Sequence, residues 1–285
     1  MIKDFAIFIL SHGRPDNIDT LKSLSMAGYT GAVYIVIDNE DKTSQRYFDL
    51  YGDQVIVFDK AAIATTFDEG DNFEDRRAVI YARNACFEIA KKLGITYFME
   101  LDDDYTDFRY KMDSKFRSIH RMGIKNLDLT IEYLLDYFKS IPAKSIAIAQ
   151  GGDFLGGIEN DIDKSLNRRR KCMNTFICST ERPFKFVGRI NEDVNTYTWY
   201  QSLGNLFLTI PLLAIQQRQT QNNSGGMTEL YLDSGTYIKS FYSVMYHPSS
   251  VSNEMMRSNH PRLHHRINWD STVPCIIPET YRKVS

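Results

Sequence analysis

The chain has 285 residues, 43% of them hydrophobic, and its 34 basic and 36 acidic side chains leave a formal net charge of −2. This composition excludes a disordered chain and a uniformly basic nucleic-acid binder, and it allows one large α/β domain or two small ones with a sizeable core. A polyanion or a membrane surface would have to be recognised by local clusters of charge.

The predicted elements begin with alternation. "FAIFIL" (Phe5 to Leu10), "AVYIVID" (Ala32 to Asp38), "QVIVF" (Gln54 to Phe58) and "TYFMEL" (Thr96 to Leu101) are apolar and rich in β-branched or aromatic residues, as parallel strands covered on both faces are. After the first of them, Asp16 is placed to cap a helix with Ile18, Leu21, Leu24 and Ser25 on one face and Gly28 at its end. Before the fourth, Asp75 to Leu93 repeats Val79, Ala82, Cys86, Ile89 and Leu93 at helical spacing and closes at Gly94. The alternation predicts an α/β fold, a mainly parallel sheet with helices on both faces.

Beyond Asp104 the sequence turns polar and basic, from Arg109 to Lys125. A helix capped by Asp128 then carries Ile131, Leu134, Leu135 and Phe138, and "SIAIAQ", "NTFICS" and "LFLTI" read as further strands. Helical stretches follow near Glu192 to Leu203 and Tyr231 to Tyr246. With no repeat or low-complexity linker, one domain over residues 1–252 is expected, in a nucleotide-binding half (1–108) and a more variable half (109–252). The tail, 253–285, is expected to be irregular and to wrap the domain. The longest apolar run, "LFLTIPLLAI", is interrupted by Pro211 and falls short of the roughly 20 residues that span a bilayer. Cys86, Cys172, Cys178 and Cys275 have no C-x-x-C spacing, and no signal-peptide pattern opens the chain, so a reducing cytoplasm is the expected compartment.

In parallel α/β sheets the ligand sits beyond the carboxyl ends of the strands. Those ends read "SHGRP" (Ser11 to Pro15), "DNED" (Asp38 to Asp41), Asp59 with Lys60, and "ELDDDY". Ser11 and His12 belong to this edge; Arg14 and Lys60 could face phosphates there, and Asp38 could accept hydrogen bonds from a base or ribose. Loop polarity is the competing explanation, since loops face water. Asp102, Asp103 and Asp104 are the sharper signal. A hard divalent cation, Mn²⁺ or Mg²⁺, takes one or two carboxylates and fills its remaining positions with phosphate and water. The apolar Tyr97, Phe98, Met99 and Leu101 make a rigid, semi-buried base for such a loop, with Asp102 toward a sugar hydroxyl or the metal, Asp104 toward the metal, and Asp103 between them on the donor side.

The order of these features resembles a GT-A glycosyltransferase: a nucleotide-binding α/β half, a D-x-D after the fourth strand, a later x-E-D and a histidine near the end. Within that fold, "ELDDDY" after an "ARN" helix and before "NEDVNTY" resembles the TET-associated glycosyltransferases of phages, relatives of the base J glucosyltransferases that act on hydroxymethylated pyrimidines in DNA. The resemblance implies a Rossmann-like GT-A domain using a UDP-sugar and a divalent metal, working in the host cytoplasm if phage-encoded. It places Arg83 and Asn84 near the nucleotide and Asp104, Asp102 and His247 around the metal. It makes Asp193 the base of an inverting transfer, supported by Glu192. Plainer roles compete: His247 as a helix end before Pro248, Arg83 as a surface arginine, and Asn191, Glu192 and Asp193 as a favourable helix start.

Basic clusters point to a polyanion partner. Arg109, Lys111, Lys115, Arg117, Arg121 and Lys125 stand almost unopposed beside the aspartates, and "NRRRK" adds Arg168, Arg169, Arg170 and Lys171. Together they predict DNA binding, with no membrane partner. Arg257, Arg262 and Arg266 extend the charge into the tail, while His264 and His265 read as surface residues. A glycan, lipid or protein acceptor, a metal-dependent nuclease or phosphohydrolase, and a non-catalytic DNA-binding module are the rival readings.

Overall fold

The computed structural model describes residues 2, 4–70, 76–115, 117–150, 171–217, 238–256 and 262–272. In chain order the elements are β1 (Phe5–Leu10), α1 (Asp19–Met26), β2 (Ala32–Asp38), α2 (Ser44–Tyr51), β3 (Val55–Phe58), α3 (Lys60–Ala64), α4 (Ile80–Lys92), β4 (Tyr97–Asp102) and β5 (Tyr105–Met112). Then come β6 (Ser118–Gly123), α5 (Leu127–Ser140), β7 (Ala143–Gln150), β8 (Phe176–Ser179), α6 (Glu192–Ser202), β9 (Leu206–Gln217), a helix over 238–246 (α7), β10 (Val251–Met256) and β11 (Arg262–Ile267).

Nine strands form one sheet in the order β3-β2-β1-β4-β8-β7-β9-β5-β6. The pairs β3–β2, β2–β1, β1–β4 and β7–β9 are parallel and the other four antiparallel, so every strand except β8 and β5 points the same way. This is the expected mixed, mainly parallel sheet. Side chains alternate across a strand, and β1 shows the consequence: Phe5, Ile7 and Ile9 enter one core with residues of α1, α2 and α5, while Ala6, Phe8 and Leu10 enter a second with residues of α4 and α6. Helices therefore cover both faces, which is why β1 is buried throughout. The chain builds outward from β1 through β2 to β3, then returns to place β4 on the other side of β1. That reversal opens a crevice at the carboxyl ends of β1 and β4.

Several local expectations are corrected. α1 begins at Asp19, and Asp16 instead pairs with Arg46 at 2.7 Å. α4 begins at Ile80, later than the helical spacing suggests, and residues 71–75 lie outside the described ones. Asn126, rather than Asp128, caps α5 by accepting from the Leu129 N–H, while Asp128 binds Thr30. The basic stretch after Asp104 is a hairpin, β5 and β6, joined to the sheet through β9. β9 runs on through Pro211, where its register against β7 slips between Ile210 and Ala214, accommodating a residue that lacks an N–H. The tail is not wholly irregular, since β10 and β11 pair as an antiparallel hairpin. His265 is buried in that hairpin at 5% exposure, its ring 3.0 Å from the Lys171 ammonium, so it is no surface residue. Among the described residues no helix is long and apolar enough to cross a membrane.

Candidate active site

The strand ends assemble as a continuous polar lining of the crevice. At the end of β1 the Ser11 hydroxyl donates to Asp103 at 2.6 Å and lies 2.7 Å from the Tyr47 hydroxyl, which also accepts the Arg14 N–H at 3.0 Å. Arg14 pairs with Asp103 at 2.9 Å. His12 meets Asp38 at 2.7 Å, Lys60 approaches the same carboxylate at 3.4 Å, and Asp41 accepts the Gly13 N–H at 2.7 Å. Burial works to raise Asp38, but the hydrogen bond from His12 and the charge of Lys60 outweigh it and hold the carboxyl below its ordinary range. The same hydrogen bond raises His12. Asp59, at the end of β3, caps α3. Arg14 and Lys60 thus already balance carboxylates, Arg14 with its side chain still 35% exposed.

The three aspartates divide. Asp103 is turned inward onto Ser11 and Arg14, and burial still carries it to about 6. Asp102 faces Arg83 at 3.1 Å. Asp104 has no hydrogen bond or ion pair among the described side chains, and burial followed by the charges of Asp102 and Asp103 lifts it to about 6. The turn that presents them is clamped from α1. The Thr20 hydroxyl donates to the Asp102 carbonyl at 2.6 Å and accepts the Tyr105 N–H at 3.0 Å, its own N–H reaches the Asp103 carbonyl at 3.2 Å, and Ser23 donates to the Tyr105 carbonyl at 2.6 Å. Thr20→Val is expected to leave the Asp102 carbonyl and the Tyr105 N–H short of partners, costing about 1–3 kcal/mol in urea denaturation and weakening divalent-cation affinity measured by calorimetry.

Arg83 is the hub of the site. Projecting from α4 and almost wholly buried, it reaches Asp102, Glu100 on β4 at 3.4 Å and Glu192 at the start of α6 at 3.2 Å, and its guanidinium lies over Phe176 at 5.0 Å. Burial opposes its charge, and Asp102, Glu192 and Glu100 more than restore it. One guanidinium does not satisfy three carboxylates: burial keeps Glu100 at about 8 and leaves its Oε1 without a partner, and burial followed by the neighbouring Asp193 raises Glu192. Asp193, also buried, accepts the Val194 N–H at 2.7 Å. Asn191 is left-handed (φ 54°) and ties the start of α6 to α7 by donating to the Lys239 carbonyl at 2.6 Å, rather than capping its own helix.

Other expected site residues lie elsewhere. Asn84 spends its amide on the Phe186 backbone, accepting at 2.9 Å and donating at 3.1 Å, so it latches α4 to that segment instead of facing a nucleotide. His247 sits 3.2 Å from the Ser202 hydroxyl, at the opposite end of α6 from Glu192. At 1.5 Å per residue that is roughly 15 Å along the helix, which removes His247 from the aspartate cluster. In the basic stretch Lys111 is buried and donates to the Gln150 carbonyl, Arg109 pairs with Asp107 and Arg117 with Asp113; Lys115 and Lys125 are exposed. The side chain of Arg121, together with Arg168, Arg169 and Arg170, lies outside the described residues, and Lys171 faces His264 and His265. Sequence reading missed Thr20, Ser23, Tyr47 and Glu100. Of these only Glu100 carried a signal, a lone charge inside an apolar strand.

The family of TET-associated glycosyltransferases matches residues 5–226. No curated protein matches the chain. Among solved structures it is similar to glucosyl-3-phosphoglycerate synthase from Mycobacterium tuberculosis in complex with Mg²⁺ and uridine-diphosphate, at 11% identity and TM-score 0.46, covering 92% of this chain and 87% of that one. The complex of that enzyme with Mn²⁺ and uridine-diphosphate-glucose gives 10% identity and TM-score 0.46, covering 92% and 86%.

Proposed function

The chain belongs to the TET-associated glycosyltransferase family, and from that premise we propose that it moves a sugar from a UDP-sugar to the hydroxymethyl group of a modified pyrimidine, 5-hydroxymethylcytosine or 5-hydroxymethyluracil, in DNA. The observation that carries the reading is the bridge made by Arg83. It joins the aspartate loop beyond β4 to the Glu192–Asp193 start of α6, so a donor-side loop and an acceptor-side carboxylate pair flank one crevice.

A divalent cation suits this loop. Asp104 has no side-chain partner among the described residues and is raised by burial and like charges, the condition a cation relieves. Among the described residues no group of three His, Cys, Asp or Glu side chains is arranged to hold a metal by itself, so Mg²⁺ or Mn²⁺ here would complete its shell with phosphate and water. Asp104 and Asp102 would hold it, and when bound it would offset the charge growing on the departing diphosphate. His12, Asp38 and Lys60 line the part of the crevice that takes the nucleoside. Glu192 is engaged by Arg83, which leaves Asp193 to take the proton of the attacking hydroxyl; attack opposite the leaving diphosphate inverts the anomeric carbon. Exposed Lys115 and Lys125, with Arg168, Arg169 and Arg170, would hold phosphates of the DNA.

The test is mass spectrometry of nucleosides from hydroxymethylated DNA incubated with the enzyme, Mn²⁺ and a panel of nucleotide sugars. A hexose or pentose increment on the modified nucleoside is expected. UDP-sugar hydrolysis with unmodified nucleosides would move the acceptor to a glycan, lipid or protein. Asp193→Asn should lose transfer by about 10²–10⁴-fold while the thermal shift given by UDP and Mn²⁺ persists.

A further inference from the structure

α7 is inverted for a surface helix, whose apolar side ordinarily turns to the core. Its inward side carries Ser240, Tyr242 and Ser243, all buried, beside Val244. Ile238, Phe241 and Met245, at the i, i+3, i+7 spacing of one helical side, face outward. Trp199 and Leu203, four residues apart on α6, continue this surface. Trp199 and Met245 line one cavity of about 590 Å³, and His247, directly after α7, meets Ser202 at 3.2 Å. The five apolar side chains are between 38% and 60% exposed. Together they leave open roughly 500 Å², near the top of the range for the largest apolar patch of a monomer.

We propose that this face of α6 and α7 is the contact with a second copy of the chain, the two related by a two-fold axis. The area fits. Homodimer interfaces are about 65% apolar, so roughly 500 Å² is the apolar share of the ~800 Å² that each partner of a standard interface buries. The rim selects protein over a nucleic acid or a lipid surface, both of which are anionic and held by basic side chains. Asp68 and Glu69 border the cavity, their carboxylates already accepting the Gly70 N–H and the Tyr81 hydroxyl. The inward side of α7 gives the contact a consequence. The Asn191 amide donates to the Lys239 carbonyl and the Ser243 hydroxyl, and the Tyr242 hydroxyl accepts the Arg189 N–H and donates to the Glu69 carbonyl. A partner laid on α7 therefore braces the turn that leads into Glu192 and Asp193. This contact is independent of which acceptor the crevice takes.

Sedimentation velocity of the full chain at about 1–100 μM should show a concentration-dependent dimer. A two-fold contact meets each substitution twice, so Leu203→Lys and Met245→Glu should each weaken it roughly a hundredfold or more, and the double variant should sediment as a monomer. Both side chains are more than half exposed, so the circular dichroism of the variants should match that of the parent. The chain has two tryptophans, and Trp269 is stacked on Tyr197, so a Trp269→Phe protein reports on Trp199 alone. Its emission should move to longer wavelength as dilution separates the copies. A parent that stays monomeric throughout this range, or a dimer that survives both substitutions unchanged, would overturn the proposal. A monomeric parent whose Trp199 emission shifts on adding phosphatidylcholine vesicles or an oligonucleotide would overturn it and assign the face to that partner. A dimeric parent that transfers no sugar would remove the transferase reading and leave this contact standing.

Discussion

Replacing Asp104 with alanine is expected to lower sugar transfer at least about a hundredfold, the loss of one anchor of a cation that contributes several kcal/mol to the transition state. The fold should survive, because the Asp104 carboxylate makes no hydrogen bond or ion pair with another described side chain. Metal-free stability supplies an independent readout whose sign follows from linkage. A carboxyl held at about 6 binds its proton more tightly folded than unfolded, so its ionisation subtracts stability as pH rises from about 4 through 6. The variant lacks that penalty and should melt slightly higher than the parent near pH 8, the difference vanishing below about pH 4. Mn²⁺ should reverse the order by stabilising only the parent, with an affinity that falls as pH drops through 6. Normal turnover by Asp104→Ala would remove Asp104 from the metal site.

Arg83→Met should be the most damaging single change in the described core. It leaves Glu100, Asp102 and Glu192 facing one another with no buried cation, which costs about 3–5 kcal/mol when one partner of a buried pair is removed. Against a typical total of roughly 5–15 kcal/mol, partial unfolding at 37 °C is the expected result. Because Arg83 lowers the carboxyls of Glu100 and Glu192, its loss leaves them binding protons more tightly in the folded chain, so the deficit should grow as pH rises through 8 and shrink toward pH 5.5, where uptake of protons relieves their repulsion. Urea denaturation at the two pH values measures it; equal deficits would show that Arg83 acts through packing on Phe176 and Phe186 and not through charge. Arg83→Lys should recover only part of the loss, since one ammonium lacks the planar fork that reaches three partners.

Much of the first half was legible because its strands are covered on both faces. Full burial demands continuous apolar runs, and those runs are visible without partners. The strand-end rule then grouped Ser11, His12, Asp38, Lys60 and Asp102 to Asp104, which the structure places at the carboxyl ends of neighbouring strands with Ser11 on Asp103 and His12 and Lys60 on Asp38. The hairpin of β5 and β6 was hidden by its basic composition, since β6 is the edge of the sheet and β5 beside it buries only part of its side chains.

Long-range pairing explains the remaining differences. Arg83 meets partners 17, 19 and 109 positions away, and no local pattern distinguishes that hub from an exposed helical arginine. His247 illustrates the converse: chain order carries no distance, and α6 holds it away from the aspartates. The sequence by itself determined the alternation, the apolar strands and the identity of the acidic loop, because periodicity and burial act on neighbouring residues. Only the tertiary structure decided which carboxylate is paired and which is left open, because Ser11, Arg14, Thr20 and Arg83 reach the loop from separate elements and their charges and hydrogen bonds act through space.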